Sequence, residues 1–476
     1  MPAAALWLFA LSVSIPTSGV RQRPCHDALS DSSSMCIIAV LPSFRVSDQV
    51  PCGDADRDGR REIYARGQPP DPGPGYALEY ASNNCFDTIR LTDGYSPFEC
   101  IGDPDRDGLC DLTAKHWGRP QGLVIFESPD SFSLPSEMML LVGAQQALGF
   151  YPVITDVDVD SAREISYCNE FYGVNVYECV GDNRYELMAE LVPRSHAETF
   201  LPVQTEDMDQ DGLPELAVNC DQGLVLFYEA VGNDTLALKA TVRILDSTIN
   251  CWCGLPAATP DLDRDGGPEL IATCYSWDLP MFTVAVIESP ADDSFAVVWA
   301  DTMAGGGQFT SVSMGDIDGD SVLEFLVADG RYLRLYRCAA NNRYECFWQT
   351  DSGSRPARLY DINSDGRDEL IHSFGSRESI LIREWLPVGV GERVAEKLKQ
   401  IEIQPSVVRS QGVVRVSGLP PSARVEVVDA TGRVVASGSS GASTFVLGTL
   451  DLEAGAYFIR IRVGNQAVVR KVLVVD

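Results

Sequence analysis

The chain reads as an all-β protein, a seven-bladed β-propeller followed by a small Ig-like β-sandwich. Three observations predict this. An acidic decamer recurs seven times, with successive starts 45 to 55 residues apart. Each copy is embedded among short β-rich runs separated by turn residues. Charge and cysteine content both change near residue 390, which marks a domain boundary. A fixed period of this size belongs to repeat architectures in which each unit buries its faces against its neighbours.

The decamers are "DADRDGRREI" (54–63), "DPDRDGLCDL" (103–112), "DVDVDSAREI" (156–165), "DMDQDGLPEL" (207–216), "DLDRDGGPEL" (261–270), "DIDGDSVLEF" (316–325) and "DINSDGRDEL" (361–370). An apolar segment precedes each, as in "YPVITD". A strand-like run follows ("ELAVNC", "ELIATC"), then a third ("GLVIFE", "GLVLFY") and, past a polar turn, a fourth ("NNRYECFWQ"). Four such runs make a four-stranded antiparallel sheet. Seven sheets over residues 36–388 fit a propeller. The seventh unit ends after "SILIREW" and lacks a fourth run, whereas "CIIAVLP" (36–42) stands orphaned upstream of the first decamer. We expect the orphan to complete the last blade and close a ring. A linear solenoid would need capping units instead.

A chain of 476 residues with 45% hydrophobic content has material for a large core. Its net charge of −31 argues against nucleic acid or an anionic membrane as partner. Residues 1–19 contain "AAALWLFALSVSIPTSG", an apolar run too short to span a bilayer comfortably, which reads as a secretory signal. No other segment is long and apolar enough to cross a membrane. Fourteen cysteines in an exported chain predict some disulfides. Cys168 with Cys179 and Cys338 with Cys346 read as cross-strand hairpin pairs; the alternative for each is a small buried thiol.

The decamer's carboxylates carry the chemistry. Position 1 is Asp54, Asp103, Asp156, Asp207, Asp261, Asp316 and Asp361. Position 3 is Asp56, Asp105, Asp158, Asp209, Asp263, Asp318 and Asn363. Position 5 is Asp58, Asp107, Asp160, Asp211, Asp265, Asp320 and Asp365. Position 9 is Glu62, Asp111, Glu164, Glu215, Glu269, Glu324 and Glu369. Such crowding is repulsive unless a cation sits inside it. Alternating oxygen ligands suit hard Ca²⁺, and the absence of recurring His or Cys argues against zinc and copper. Position 6 is Gly in five copies, where a sharp turn needs positive φ, but Ser161 and Ser321 in the third and sixth. We therefore expect up to seven Ca²⁺ ions, bound best at loops one, two, four and five and weakest at loops three and six. An EF-hand needs its acid at position 12, where this chain has Ala65, Ala114, Tyr167, Val218, Ala272, Val327 and His372. The alternative is a solvated acidic turn without metal.

The repeated D-x-D-x-D-G-x-x-[DE] pattern resembles the FG-GAP/VCBS repeats known from the propeller of integrin α-subunits and from many bacterial surface proteins. The resemblance spans about residues 36–388 and implies a calcium-binding propeller acting outside the cell. Beyond a linker at 389–399, residues 400–476 alternate apolar and polar positions with frequent turns, as a small β-sandwich does. There "VVDATGR" (427–433), "LEAGAYFIR" (452–460) and "VVRKVLVV" (468–475) resemble the type A C-terminal sorting domain of the type IX secretion system. That resemblance implies recognition by the type IX machinery and a secreted or cell-surface destination. The alternative is an ordinary Ig-like spacer.

No nucleophile motif, phosphate loop or redox pattern appears, and the four histidines, His26, His116, His196 and His372, are not clustered. Loops expected on the face opposite the decamers carry Tyr95, Trp117, Trp252 and Trp277, which suit stacking on a sugar or anchoring a protein. The expected function is non-enzymatic adhesion or ligand binding, with an extracellular glycan or protein as partner. The alternatives are a polysaccharide-active enzyme and a passive scaffold of a surface assembly.

Overall fold

The computed structural model describes residues 35–385 and 402–475, apart from 48, 68–72, 83, 93–97, 117–121, 141–148, 170–172, 192–199, 246–248, 277, 280, 305–310, 352–355 and 375–378 and, in the tail, 405–406, 410–412, 418–423, 430–432, 440–443, 449–451, 453 and 464–465. The expected signal at 1–19 and the linker at 389–399 lie outside the described residues, as do Tyr95, Trp117 and Trp277.

Every described element is a strand. Between Met35 and Trp385 the strands form antiparallel sheets of four or five. The fourth sheet shows the plan: Phe200–Gln204, Leu216–Cys220, Leu224–Gly232 and Thr235–Arg243, paired in chain order. Its second strand, "LAVNC", is buried at every position because neighbouring sheets cover both faces. Its fourth strand, at the outer edge, is mostly half-buried, with Thr235 and Leu238 exposed.

The orphan run forms Met35–Pro42 and pairs antiparallel with Ser379–Trp385, completing the sheet that holds Glu369–Phe374 and Ala357–Tyr360. Chain ends some 340 residues apart in sequence thus share one ladder. Apolar clusters then bridge each sheet to the next. One joins Tyr64 and Ala77 to Leu112 and Phe126, the next joins Ile125 to Ile165, and the cycle returns when Ile371 and Ile382 meet Ile63 and Leu78. At the centre the first strands converge around a cavity of about 520 Å³, lined among others by Gln49, Glu99, Pro202, Ser311 and Arg358.

In the tail, a three-stranded sheet (Glu402–Gln404, Val413–Ser417, Thr444–Gly448) faces a five-stranded one that includes Arg424–Val428, Gly455–Val463 and Gln466–Val475. Val414 and Val416 from the first pack with Val427, Ile459, Ile461 and Val472 from the second.

The expected disulfides are corrected by the register. Cys168 lies opposite Val174, and Cys179 lies opposite Tyr185. Cys338 lies opposite Tyr344, and Cys346 opposite Tyr336. Neither pair faces its partner across the ladder, and no disulfide joins either. Cys168 and Cys179 lie several rungs apart, whereas Cys338 and Cys346 are two residues out of register and Cys346 donates its thiol to the Trp348 carbonyl at 3.3 Å. Cys168 packs instead with Cys220 between the third and fourth sheets, and the Cys179 and Cys338 thiols donate to the carbonyls of Gly181 and Ala340, at 3.4 and 3.3 Å.

Candidate metal centres

Each decamer joins the first and second strands of its sheet, with the position 9 acid opening the second strand in six sheets and, as Glu215, immediately preceding it in the fourth. That acid is buried in all seven copies, with 0–2% exposure. The strand enters the core there, so the carboxylate is drawn in with it. It accepts the N–H of position 2 in six loops, for example Ala55 to Glu62 at 3.0 Å, Val157 to Glu164 at 2.9 Å and Ile362 to Glu369 at 3.0 Å.

Position 1 closes the turn. Its carboxylate accepts the position 6 N–H, from Gly59 to Asp54 at 3.1 Å, Gly212 to Asp207 at 2.8 Å and Ser321 to Asp316 at 2.9 Å. Position 5 accepts the N–H of position 7, as Leu213 donates to Asp211 at 2.9 Å. These bonds wind the backbone inward around the carboxylates. The winding requires positive φ at position 6, as expected, and also at position 4, which sequence reasoning missed. Ser161 and Ser321 adopt it at 81° and 65° without being Gly, and Val159 sits at 57°. A β-branched residue there is strained.

Neighbouring sheets complete loops two to five. The hairpin tip between strands three and four of the next sheet donates an N–H to the position 3 carboxylate. Asn183 donates to Asp105 at 2.9 Å, Asp234 to Asp158 at 2.9 Å, Asp293 to Asp209 at 2.8 Å and Asn342 to Asp263 at 2.5 Å. All four tips are left-handed at 52–56°, a conformation Asn and Asp tolerate well. Position 4 reaches forward: Arg57 donates to the Gly108 carbonyl at 2.8 Å, and Arg106 to Asp156 at 2.8 Å. Position 8 reaches back, as Arg163 donates to the Asp103 carbonyl at 2.9 Å. A signal for the tips existed in the sequence, in the recurring "SNN", "GDN", "GND", "ADD" and "ANN".

A further acid at or near the end of the third strand was also missed. Asp56, Asp58 and Glu79 approach one another, as do Asp107, Glu127 and Asp182, and Asp158, Asp160, Glu178 and Asp234; within each group the oxygens lie within 4.8 Å. Basic side chains enter some of these clusters. Lys239 Nζ lies 2.8 Å from Glu229 and 3.1 Å from Asp293, and Arg367 bridges Asp365 and Glu384 at 3.0 and 2.8 Å.

The loops fit a hard cation on two grounds. First, buried oxygens in loops one to four lack any hydrogen-bond partner: Asp54 Oδ1, Glu62 Oε1, Asp103 Oδ1, Asp111 Oδ1, Asp156 Oδ1, Asp158 Oδ1, Glu164 Oε1, Asp209 Oδ1 and Glu215 Oε1. A buried acceptor left unsatisfied costs about 1–3 kcal/mol. Loop five differs, because Glu269 Oε1 accepts from Leu262, Asp263 and the Tyr344 hydroxyl. Second, burial pushes the position 9 acids far up, with the neighbouring carboxylates adding to it. Glu62, Asp111 and Glu324 rise to about 8, Glu164 and Glu215 to about 7, and Glu369 to about 9. Such groups hold a proton or a cation at neutral pH. In loop seven, Asn363 replaces an Asp and donates its amide to Glu369 at 2.6 Å.

The first strand of the fifth sheet begins at Cys251–Cys253, away from the decamer, and there half-buried Trp252 lies opposite Tyr275. Among the aromatic candidates only Trp252 falls within the described residues.

Residues 409–475 match the family described as the secretion system C-terminal sorting domain. No curated protein matches the chain. Among solved structures, PorZ, an essential surface component of the type IX secretion system of Porphyromonas gingivalis, is 12% identical, with a TM-score of 0.37 over 91% of this chain and 60% of that one. The periplasmic gluconolactonase PpgL of Pseudomonas aeruginosa is 12% identical, with a TM-score of 0.44 over 64% of this chain and 86% of that one. A Lactobacillus plantarum protein is 12% identical, with a TM-score of 0.43 over 65% and 84%. The tail is a type IX sorting domain, and the protein is exported to the cell surface or secreted. No helix among the described residues is long and apolar enough to cross a membrane.

Proposed function

We propose that the chain is a seven-bladed propeller of the FG-GAP/VCBS kind, stapled by Ca²⁺ and followed by an Ig-like sorting domain, and that it works outside the cell as a non-enzymatic adhesion or ligand-binding protein. The observation that carries the calcium reading is the set of unpartnered buried carboxylate oxygens in loops one to four. The ions would lie among positions 1, 3, 5 and 9, neutralising charge that the fold has already confined. Their role is structural, since extracellular modules of this type bind at about 10⁻⁴–10⁻³ M.

The geometry favours a revised order of affinity. Loops one to four should bind best, loop three included, because Ser161 already holds the turn and Asp156, Asp158 and Glu164 all have unpartnered oxygens. Loop five should bind less tightly, its oxygens being occupied by protein donors. Ligand binding is assigned to the rim opposite the decamers, where Trp252 lies, and to the central cavity with Arg358 and Glu99 in its lining.

Elemental analysis of the purified protein, with melting before and after chelation, tests the calcium reading. Bound calcium and a lower melting temperature in chelator are expected; no bound alkaline-earth ion and an unchanged melt would refute it. A glycan array combined with polysaccharide digestion tests the binding role. Retention without cleavage is expected, whereas cleavage would show an enzyme and neither result a scaffold.

A further inference from the structure

Apart from Cys179 near a hairpin end, five buried cysteines lie along one arc of the ring, from Cys168 in the third sheet through Cys220 in the fourth to Cys251, Cys253 and Cys274 in the fifth. We propose that Cys251 and Cys274 form a disulfide once the chain has been exported. The proposal rests on the sorting tail and not on calcium.

The geometry selects this pair from the five. Cys251 and Cys274 sit on paired strands, Cys251–Cys253 and Glu269–Ser276, where Cys251 lies opposite Ser276 two residues from Cys274. Both belong to one apolar cluster with Met208, Phe227 and Ala272, at 4% and 0% exposure. Cys251 is the foremost neighbour acting on the Cys274 thiol, pushing it up together with burial. Cys253, although directly opposite Cys274, is held differently: its N–H donates to Asp221 at 3.1 Å, and it packs with Tyr151, Leu201 and Leu255.

Cys251 is also docked on the fourth sheet's side. Its carbonyl accepts from Gln222 at 3.0 Å. The bond would therefore tie the fifth sheet's second strand to a segment fastened to the fourth sheet. It would also enclose the whole fifth decamer, residues 261–270, in a covalent loop.

Chemically, the two thiols are oxidised and an external disulfide, supplied by a dithiol–disulfide oxidoreductase outside the inner membrane, is reduced. One thiolate attacks that disulfide and expels a thiol. The second protein thiolate then attacks the mixed disulfide, forming Cys251–Cys274 and releasing the second thiol. Two electrons and two protons leave the protein. Because both sulfurs are buried in the ring, exchange precedes packing, and the packed ring afterwards shields the bond.

The test is peptide mass mapping of the full chain recovered after export, unfolded in maleimide without reductant and then digested. One linked species joining the Cys251 and Cys274 peptides is expected, lighter by two hydrogens than the thiol pair and lost on prior reduction. Cys168, Cys220 and Cys253 should carry maleimide. Maleimide on both Cys251 and Cys274, or linkage of Cys274 to Cys253, would overturn the proposal. In a Cys251→Ser variant Cys274 should become alkylated. If that variant fails to fold, refolding the unchanged chain with and without a glutathione redox couple gives the second measurement: the linked species should appear only with the couple, and its absence there refutes the assignment.

Discussion

Replacing Glu215 by Gln separates a cation ligand from a mere hydrogen-bond acceptor. Glu215 is fully buried and accepts the Thr205 hydroxyl at 2.6 Å and the Met208 N–H at 3.2 Å, both at Oε2, while Oε1 has no partner. The Gln carbonyl can serve the same donors without charge. Burial, then the nearby Asp209, raises the carboxyl from 4.5 to about 7 in the folded ring. The sign follows directly. With its folded value raised, the group contributes stability that is fully present below pH 4.5 and is lost as pH climbs through 7. At about 1.4 kcal/mol per unit, the cation-free ring carries a penalty of about 3 kcal/mol at pH 8. For a ring of about 350 residues this is roughly 4 °C in melting temperature. The uncharged variant escapes the penalty, so in EDTA at pH 8 it should melt higher than the parent chain. Calcium at about 100 times its dissociation constant returns about 2.7 kcal/mol to the parent loop and little to the variant. The order of melting temperatures should then reverse. If Glu215→Gln loses the same stability in EDTA and in calcium, the carboxylate is only a structural acceptor and the cation argument fails.

Four other outcomes follow from the same geometry. Val159→Gly should raise stability by about 1 kcal/mol, measured by denaturant titration, because Val159 is 54% exposed and left-handed at 57°. His372 is fully buried, donates from Nδ1 to the Ser373 carbonyl and accepts from Arg383 Nε at Nε2, each at 3.0 Å; burial, then that guanidinium, pushes it down to about 3. Its contribution is complete above its ordinary value of 6.5 and falls by about 1.4 kcal/mol per unit as pH drops toward 3, so a His372→Gln variant should show a shallower acid limb of melting temperature against pH. Ala39→Asp places a carboxylate at a fully buried point of the closing strand and should cost at least about 3 kcal/mol or prevent folding, read by circular dichroism. Deleting residues 397–476 should leave the ring folded but retain it in the periplasm, as cell fractionation would show.

The sheets were readable because the decamer repeats and the runs between copies keep strand-like patterning. "CIIAVLP" could be matched to the incomplete last unit by counting runs alone. The recurring loop carboxylates were equally plain. Position 4 was not, because Arg57, Val159 and Gln210 carry no composition that announces left-handed backbone; the surrounding hydrogen bonds impose it. The contacts between sheets were hidden for another reason. Asn183 and Asp105 are 78 residues apart, and only the rotation from one sheet to the next brings them together. The cysteine pairs failed because nearness in a hairpin is not facing across a ladder. Cys168 and Cys179 flank a turn but lie several rungs apart.

The closing ladder makes the order of synthesis matter. Met35–Pro42 emerges early and then waits, with an open edge, for Ser379–Trp385 to appear. Until that moment the last sheet consists of Ala357–Tyr360 and Glu369–Phe374 alone, and the first sheet has no complete neighbour on that side. The address-bearing tail follows that partner strand in the chain. A product cut short before residue 379 therefore lacks the closing ladder and leaves the edge of Met35–Pro42 unpaired, whereas one cut after Trp385 can still close.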